Sequence, residues 1–87
     1  MPNTRSARKR VRQAERNRLR NQMYKSRIKT AIRRLEEALA GGDPEAIDAA
    51  LRRALSAIDR AAVRGAIHPN TAARKKSRLM RRLKAAS

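Results

Sequence analysis

The larger apolar side chains of this sequence recur at three- and four-residue spacing, and no run of β-branched or aromatic residues alternates with the two-residue period of a strand. Three such stripes can be read. The first holds Ile28, Ala31, Ile32, Leu35, Ala38 and Leu39. The second holds Ile47, Leu51, Ala54, Leu55, Ile58, Ala61 and Ala62, and the third Ala72, Ala73, Leu79, Met80 and Leu83. Each marks one buried face of a helix. The breakers fall between them. Gly41-Gly42 ends the first pattern, and Asp43-Pro44 opens the second, with the aspartate as N-cap and the proline at the first helical position. Gly65 closes the second helix, and His68-Pro69-Asn70 opens the third, with His68 or Asn70 as its cap. The pattern predicts helices at about 5–40, 44–64 and 70–86 in a single domain, 1–87. Short connections make neighbours antiparallel, so the fold class is all-α: a three-helix bundle with an extended, overhanging basic first helix.

The overhang follows from lengths. The first helix spans about 54 Å, the second about 31 Å and the third about 25 Å at 1.5 Å per residue. More than about 20 Å of the first helix therefore has no protein to pack against. That stretch, residues 5 to about 22, offers only Ala7, Val11, Ala14 and Leu19 as apolar groups. A helix that is polar all round is unstable alone. The core is also small by composition: Tyr24 is the one aromatic, so Ile, Leu, Val, Met and Ala must build it. With 24 Lys and Arg against 7 Asp and Glu, a net charge of +17, self-repulsion opposes compaction. The free chain is expected to be partly unfolded at low salt and to gain structure on a polyanion.

The charge is uneven. Residues 1–34 hold 13 basic and 1 acidic side chain, residues 35–64 hold 4 and 6, and residues 65–87 hold 7 and none. Two cationic ends thus flank a near-neutral packing segment. In the overhang Arg5, Arg8, Lys9, Arg10, Arg12, Arg16, Arg18 and Arg20 spread around the helix, which suits insertion between several phosphate backbones better than lying in one groove. Of the 24 basic residues 18 are Arg, whose planar fork grips phosphate bidentately. Asn3, Ser6, Asn17, Asn21, Gln22, Ser26 and Thr30 add neutral groups suited to phosphate oxygens and ribose hydroxyls. On the third helix Arg74, Arg78, Arg81 and Arg82 share one side, with Lys75, Lys76 and Lys84 around the apolar stripe. A solvated charge run and snorkelling solubiliser residues are the bland readings of these two clusters.

Other chemistry finds little support. His68 is the only histidine, with no Cys in the chain and no nearby carboxylate, so it reads as a cap or an RNA contact and not as a metal ligand or acid–base group. Tyr24 reads as the end of the bundle, with base stacking as its alternative. Asp43 reads as a cap and Asp59 as the partner of Arg60, Arg64 or a base on another helix. There is no paired-carboxylate site and no glycine-rich phosphate loop. The expectation is no catalytic, metal or cofactor site, hence no enzyme and no small-molecule substrate. No apolar run approaches the roughly 18 residues of a membrane span, and the basic N-terminus lacks the apolar stretch of a secretory signal. A cytoplasmic location is expected.

Two rivals remain at this point. A basic-region DNA-binding helix could dimerise through Ile28, Ile32, Leu35 and Leu39, although these cover less than the roughly three or four heptads a coiled coil needs. A membrane-active cationic helix would want Trp, Phe or Leu anchors that residues 1–27 scarcely supply.

Three ordered segments carry a resemblance. Asn3-Thr4-Arg5-Ser6-Ala7-Arg8-Lys9-Arg10 resembles the opening of the S-twenty family of bacterial small-subunit ribosomal proteins, and Arg18, Asn21, Lys25-Ser26 and Thr30 fall where that family's long first helix places them. Ser56-Ala57-Ile58-Asp59-Arg60-Ala61-Ala62 resembles its second helix. Gly65-Ala66-Ile67-His68-Pro69-Asn70-Thr71-Ala72-Ala73-Arg74-Lys75-Lys76-Ser77 resembles its most distinctive run. The resemblance covers essentially the whole chain. It implies a monomeric component of the small ribosomal subunit that binds the subunit's RNA directly, early in assembly, without catalysis. Carried over by position, the implied RNA contacts are Asn3, Ser6, Lys9, Arg10, Arg18, Asn21, Lys25, Ser26, Thr30, His68, Asn70, Arg74, Lys75, Lys76 and Ser77. The neighbouring cations Arg8, Arg16, Lys29, Arg33, Arg78 and Arg81 complete the expected interface. Pro69 stands where the family commonly has a basic residue and Pro2 where it has alanine, so one charge is missing and the extreme N-terminus is altered.

Overall fold

The computed structural model describes residues 4–86, which leaves Asn3 outside the described residues. Three helices follow one another: α1 (Arg5–Gly41), α2 (Pro44–Val63) and α3 (Pro69–Ala86). No strand occurs among the described residues. The ends are set by local chemistry. Thr4 caps α1, its hydroxyl accepting from the Ala7 amide at 3.3 Å. Gly42, at φ 77°, takes the left-handed conformation that terminates α1 and donates its amide to the Ala38 carbonyl at 3.0 Å.

Asp43 caps α2 through Oδ1, which accepts from the Glu45 amide at 3.2 Å, with Pro44 in the first turn. Past Arg64, Gly65 swings to φ 78°. The Ala66 amide then donates to Ala61 O at 2.8 Å and the Gly65 amide to Ala62 O at 3.1 Å, a Schellman closure with Ala66 and Ala61 both buried. α3 starts one residue earlier than the sequence pattern suggests, at Pro69. His68 is its cap: Nδ1 accepts from the Asn70 amide at 3.0 Å.

α2 is the middle of the bundle, packed against both α1 and α3. The buried core is Ile28 and Leu35 from α1, Ala54, Ile58 and Ala61 from α2, Ala66 in the connection, and Ala72 and Leu79 from α3. Among the described residues no polar or charged residue is buried. Half of that core is alanine, which lets the helices approach closely but contributes little apolar area per residue. The molecule measures 59 × 21 × 15 Å. Its long dimension is α1 itself, whose 37 residues span about 56 Å.

Candidate nucleic-acid interface

Three regions carry the charge. The first is the projecting part of α1. Arg20 reaches the far end of α2, where Nη2 donates to the Arg64 carbonyl at 3.3 Å, so the bundle ends at that level and Arg5–Leu19 extends past it. Arg20 therefore serves the bundle as a clasp on α2's C-terminal carbonyls, where a cation also complements the helix dipole; the free rod is a little shorter than the sequence reading supposes. From Thr4 to Leu19 every residue is exposed except the half-buried Ala7. Val11 and Leu19 stand 70% and 54% exposed, so the rod has no apolar seat on the protein.

Around the rod the cations are less even than expected. Arg5, Arg8, Lys9, Arg12 and Arg16 gather on one side with Gln13 among them, lining a shallow depression of about 800 Å³. Arg10 and Arg18 fall on the other sides by helical spacing. Arg18 is engaged locally: Nη2 lies 2.6 Å from Glu15 Oε1 and Nε 3.3 Å from Oε2. That fork of hydrogen bonds, together with the opposite charges, holds the Glu15 carboxyl below its ordinary pKa and the Arg18 guanidinium above its own. Ser6 lies 3.2 Å from the Thr4 hydroxyl. Neither α1 nor α3 has an acid in its first turn, whereas α2 has Glu45 there and Arg60 in its last turn. The outer helices thus leave their N-terminal dipoles uncompensated, and anions are favoured beside them.

The second region is the base of the rod and the body of α1. Asn21 is half-buried, its amide oxygen shielded and without a hydrogen-bond partner among the described residues. Lys25, Ser26, Lys29 and Arg33 are exposed and Thr30 is half-buried. Arg33 Nε lies 4.0 Å from Glu37. Tyr24 is half-buried against the core, with the Arg27 guanidinium 5.5 Å from its ring centroid.

The third region is α3 with its cap. His68, Asn70, Arg74, Ser77, Arg78 and Arg81 are exposed, and Lys75 and Lys76 half-buried. Arg82, grouped with Arg74, Arg78 and Arg81 by spacing, instead forms an ion pair with Glu36 of α1. Lys76 Nζ lies 2.7 Å from Asp59 Oδ1, which settles the partner of that aspartate as a base on another helix. Lys75, Arg78 and Arg82 line a groove between α1 and α3 floored by Ile32 and Leu79.

One concentration of cations was not expected. Arg27 and Arg34 of α1 and Arg52, Arg53 and Arg60 of α2 surround a single depression beside Tyr24. Summing charge over residues 35–64 hides it, because opposite signs on different faces cancel in a sum. The phase of each residue around its helix was the signal that could have separated them.

The four residues that would form a dimer seam are spent inside the chain: Ile28 and Leu35 are 3% and 2% exposed, and Ile32 and Leu39 pack against the same core. Among the described residues no three His, Cys, Asp or Glu side chains gather as metal ligands, and no helix is long and apolar enough to cross a membrane.

A small helical bundle with a bare arginine-rich rod and cations on every helix presents a surface that favours polyanions. Comparison with known families narrows the class. The profile of ribosomal protein S20 matches residues 2–84, and the chain belongs to that family. It is 54% identical over 82 residues to a small ribosomal subunit protein bS20 of Roseiflexus sp. (strain RS-1), covering 94% of this chain and 89% of the relative. The protein of the same name from Thermomicrobium roseum is 49% identical over 85 residues, covering 98% and 86%, and that from Desulforamulus reducens 54% over 82 residues, covering 94% and 93%.

Proposed function

We propose that this chain acts as one unit that binds small-subunit ribosomal RNA directly and supports assembly of the small subunit at an early stage, as a structural component with no catalytic step. The observation that carries the reading is the rod Arg5–Leu19, which holds seven cations and one acid and has no protein surface to rest on. A helix in that state is stabilised when phosphates neutralise it, and its denser side, from Arg5 to Arg16, suits one backbone while Arg10 and Arg18 reach others. Asn3, Ser6, Lys25, Ser26, Lys29, Thr30 and Arg33 extend the contact along α1. His68, Asn70, Arg74, Lys75, Lys76, Ser77, Arg78 and Arg81 supply a second surface, and Asn21 sits at the junction. Family membership supports RNA as the polyanion, and the packing of Ile28, Ile32, Leu35 and Leu39 against the chain's own core weighs against a two-fold DNA-binding coil.

The test is binding to small-subunit ribosomal RNA as salt is varied. If about ten phosphates are neutralised, log affinity falls against log salt with a slope of about −7 to −9. A slope near zero, or equal affinity for random duplex DNA, would contradict the reading.

A further inference from the structure

The middle of the chain is near neutral in sequence, yet the fold sorts its charges by face. Its six acids are turned to other work. Asp43 caps α2 and Glu45 occupies that helix's first turn; Glu36, Asp48 and Asp59 pair with Arg82, Arg52 and Lys76, and Glu37 lies at 4.0 Å from Arg33. The arginines gather in the groove between α1 and α2. Two adjoining depressions of about 570 and 480 Å³ share Arg27, Arg34 and Arg53, and neither is lined by any carboxylate or by any residue of α3. Among the described residues Arg34, Arg53 and Arg60 form no ion pair.

The register gives the groove a shape. Arg27 and Arg34 are two turns apart on α1, as are Arg53 and Arg60 on α2, so each pair is separated by about 10 Å along its helix. Because the helices run antiparallel, Arg34 stands across from Arg53 and Arg27 across from Arg60. Alanines form much of the floor, small enough for the helices to close up and for a ligand to lie low between the guanidiniums. Tyr24, at the rod end, positions Arg27 through its ring face.

We infer that the α1–α2 groove is a further binding surface, beside the rod and α3, in which one phosphodiester strand of RNA is gripped in turn by the Arg34–Arg53 and Arg27–Arg60 pairs. A lone small anion would engage only one pair. A strand repeats its phosphates along the groove, and α1 continues from the groove into the rod, so one RNA can follow both. The inference rests on the RNA-binding reading above and adds residues that reading does not contain.

Full-length protein carrying Arg34→Gln, Arg53→Gln and Arg60→Gln is titrated with small-subunit ribosomal RNA across salt concentrations, beside wild type and a variant carrying Arg8→Gln, Arg12→Gln and Arg16→Gln. Loss of the groove contacts is expected to weaken affinity by about 10- to 100-fold near physiological salt and to make the salt slope shallower by about 2 to 3. Thermal melting followed by circular dichroism should match wild type, since no groove arginine is buried. Should the triple variant fail to fold, Arg53→Gln alone still shifts the slope by about 0.7 to 0.9. Failure of wild type to bind this RNA removes the function proposed above. Wild-type binding with an unchanged slope in the groove variant overturns the groove alone. So does unchanged RNA binding with loss of binding to a polyglutamate probe, which would give the groove to an acidic protein segment.

Discussion

Glu15 is the one acid among the first 34 residues, and it is spent on Arg18, a residue expected to touch RNA. The pair is exposed, so its worth to the fold is small and screened by salt. Its effect on binding is larger, because a phosphate must displace the carboxylate to reach the inner edge of that guanidinium. Glu15→Gln is expected to raise RNA affinity several-fold in a filter-binding or fluorescence titration; lower affinity would mean that Glu15 aims Arg18 at the RNA. Acid should do the same work as the substitution. Because the folded-state pKa of Glu15 is depressed, its contribution to rod helicity is present above the ordinary carboxyl value of 4.5 and fades as pH falls below it, freeing Arg18. Residues of this kind were only partly legible in the sequence. The Asp43 cap could be read directly, since Asp-Pro before an apolar stripe has few other uses. The Thr4 cap was hidden inside a run of cations, and the choice between His68 and Asn70 needed the position of Nδ1.

Helix ends were the most legible elements, because glycine and proline act through the backbone and need no partner. α1 ends at Gly41 and α2 begins at Pro44, where the breakers lie. Nothing lies within 4 Å of a Cβ built on Gly65, so any cost of filling that position comes from its φ of 78° and not from crowding. Gly65→Ala is therefore expected to lower stability by about 1 kcal/mol, read as a drop in melting temperature, with the helical content of the folded state unchanged. An unchanged melting temperature would show that the Schellman closure does not hold α2 to α3. What the sequence did not show at this scale was sidedness. Arg52 and Arg53 are adjacent and both reach the depression beside Tyr24, yet Arg52 pairs with Asp48 at 3.2 Å while Arg53 extends along the groove between α1 and α2 with no ion pair among the described residues. Adjacent helical residues diverge by about 100°, and only the packed orientation of α2 says which way each is sent.

At the scale of the whole molecule, the bundle and the rod are two regimes on one helix. Ile28 and Leu35 tie the C-terminal half of α1 into a core, whereas Arg5–Leu19 has mostly like charges, an uncompensated dipole and exposed side chains at every position but Ala7. The overhang was legible from helix lengths alone, because a long helix beside two short ones must project. Its precise base was not, since that depends on the one arginine that folds back. A rod of about 15 residues is marginal as an isolated helix even with good helix formers, and here seven cations against one acid add self-repulsion. On the proposed function its order comes from the RNA it binds. Amide hydrogen exchange of the full chain, with and without small-subunit ribosomal RNA, reads this residue by residue. The expected result is fast exchange across 5–19 in the free protein at low salt, slow exchange around Ile58 in both states, and strong protection of 5–19 once RNA is bound. Slow exchange of 5–19 in the free protein, or no gain of protection in the complex, would contradict the account.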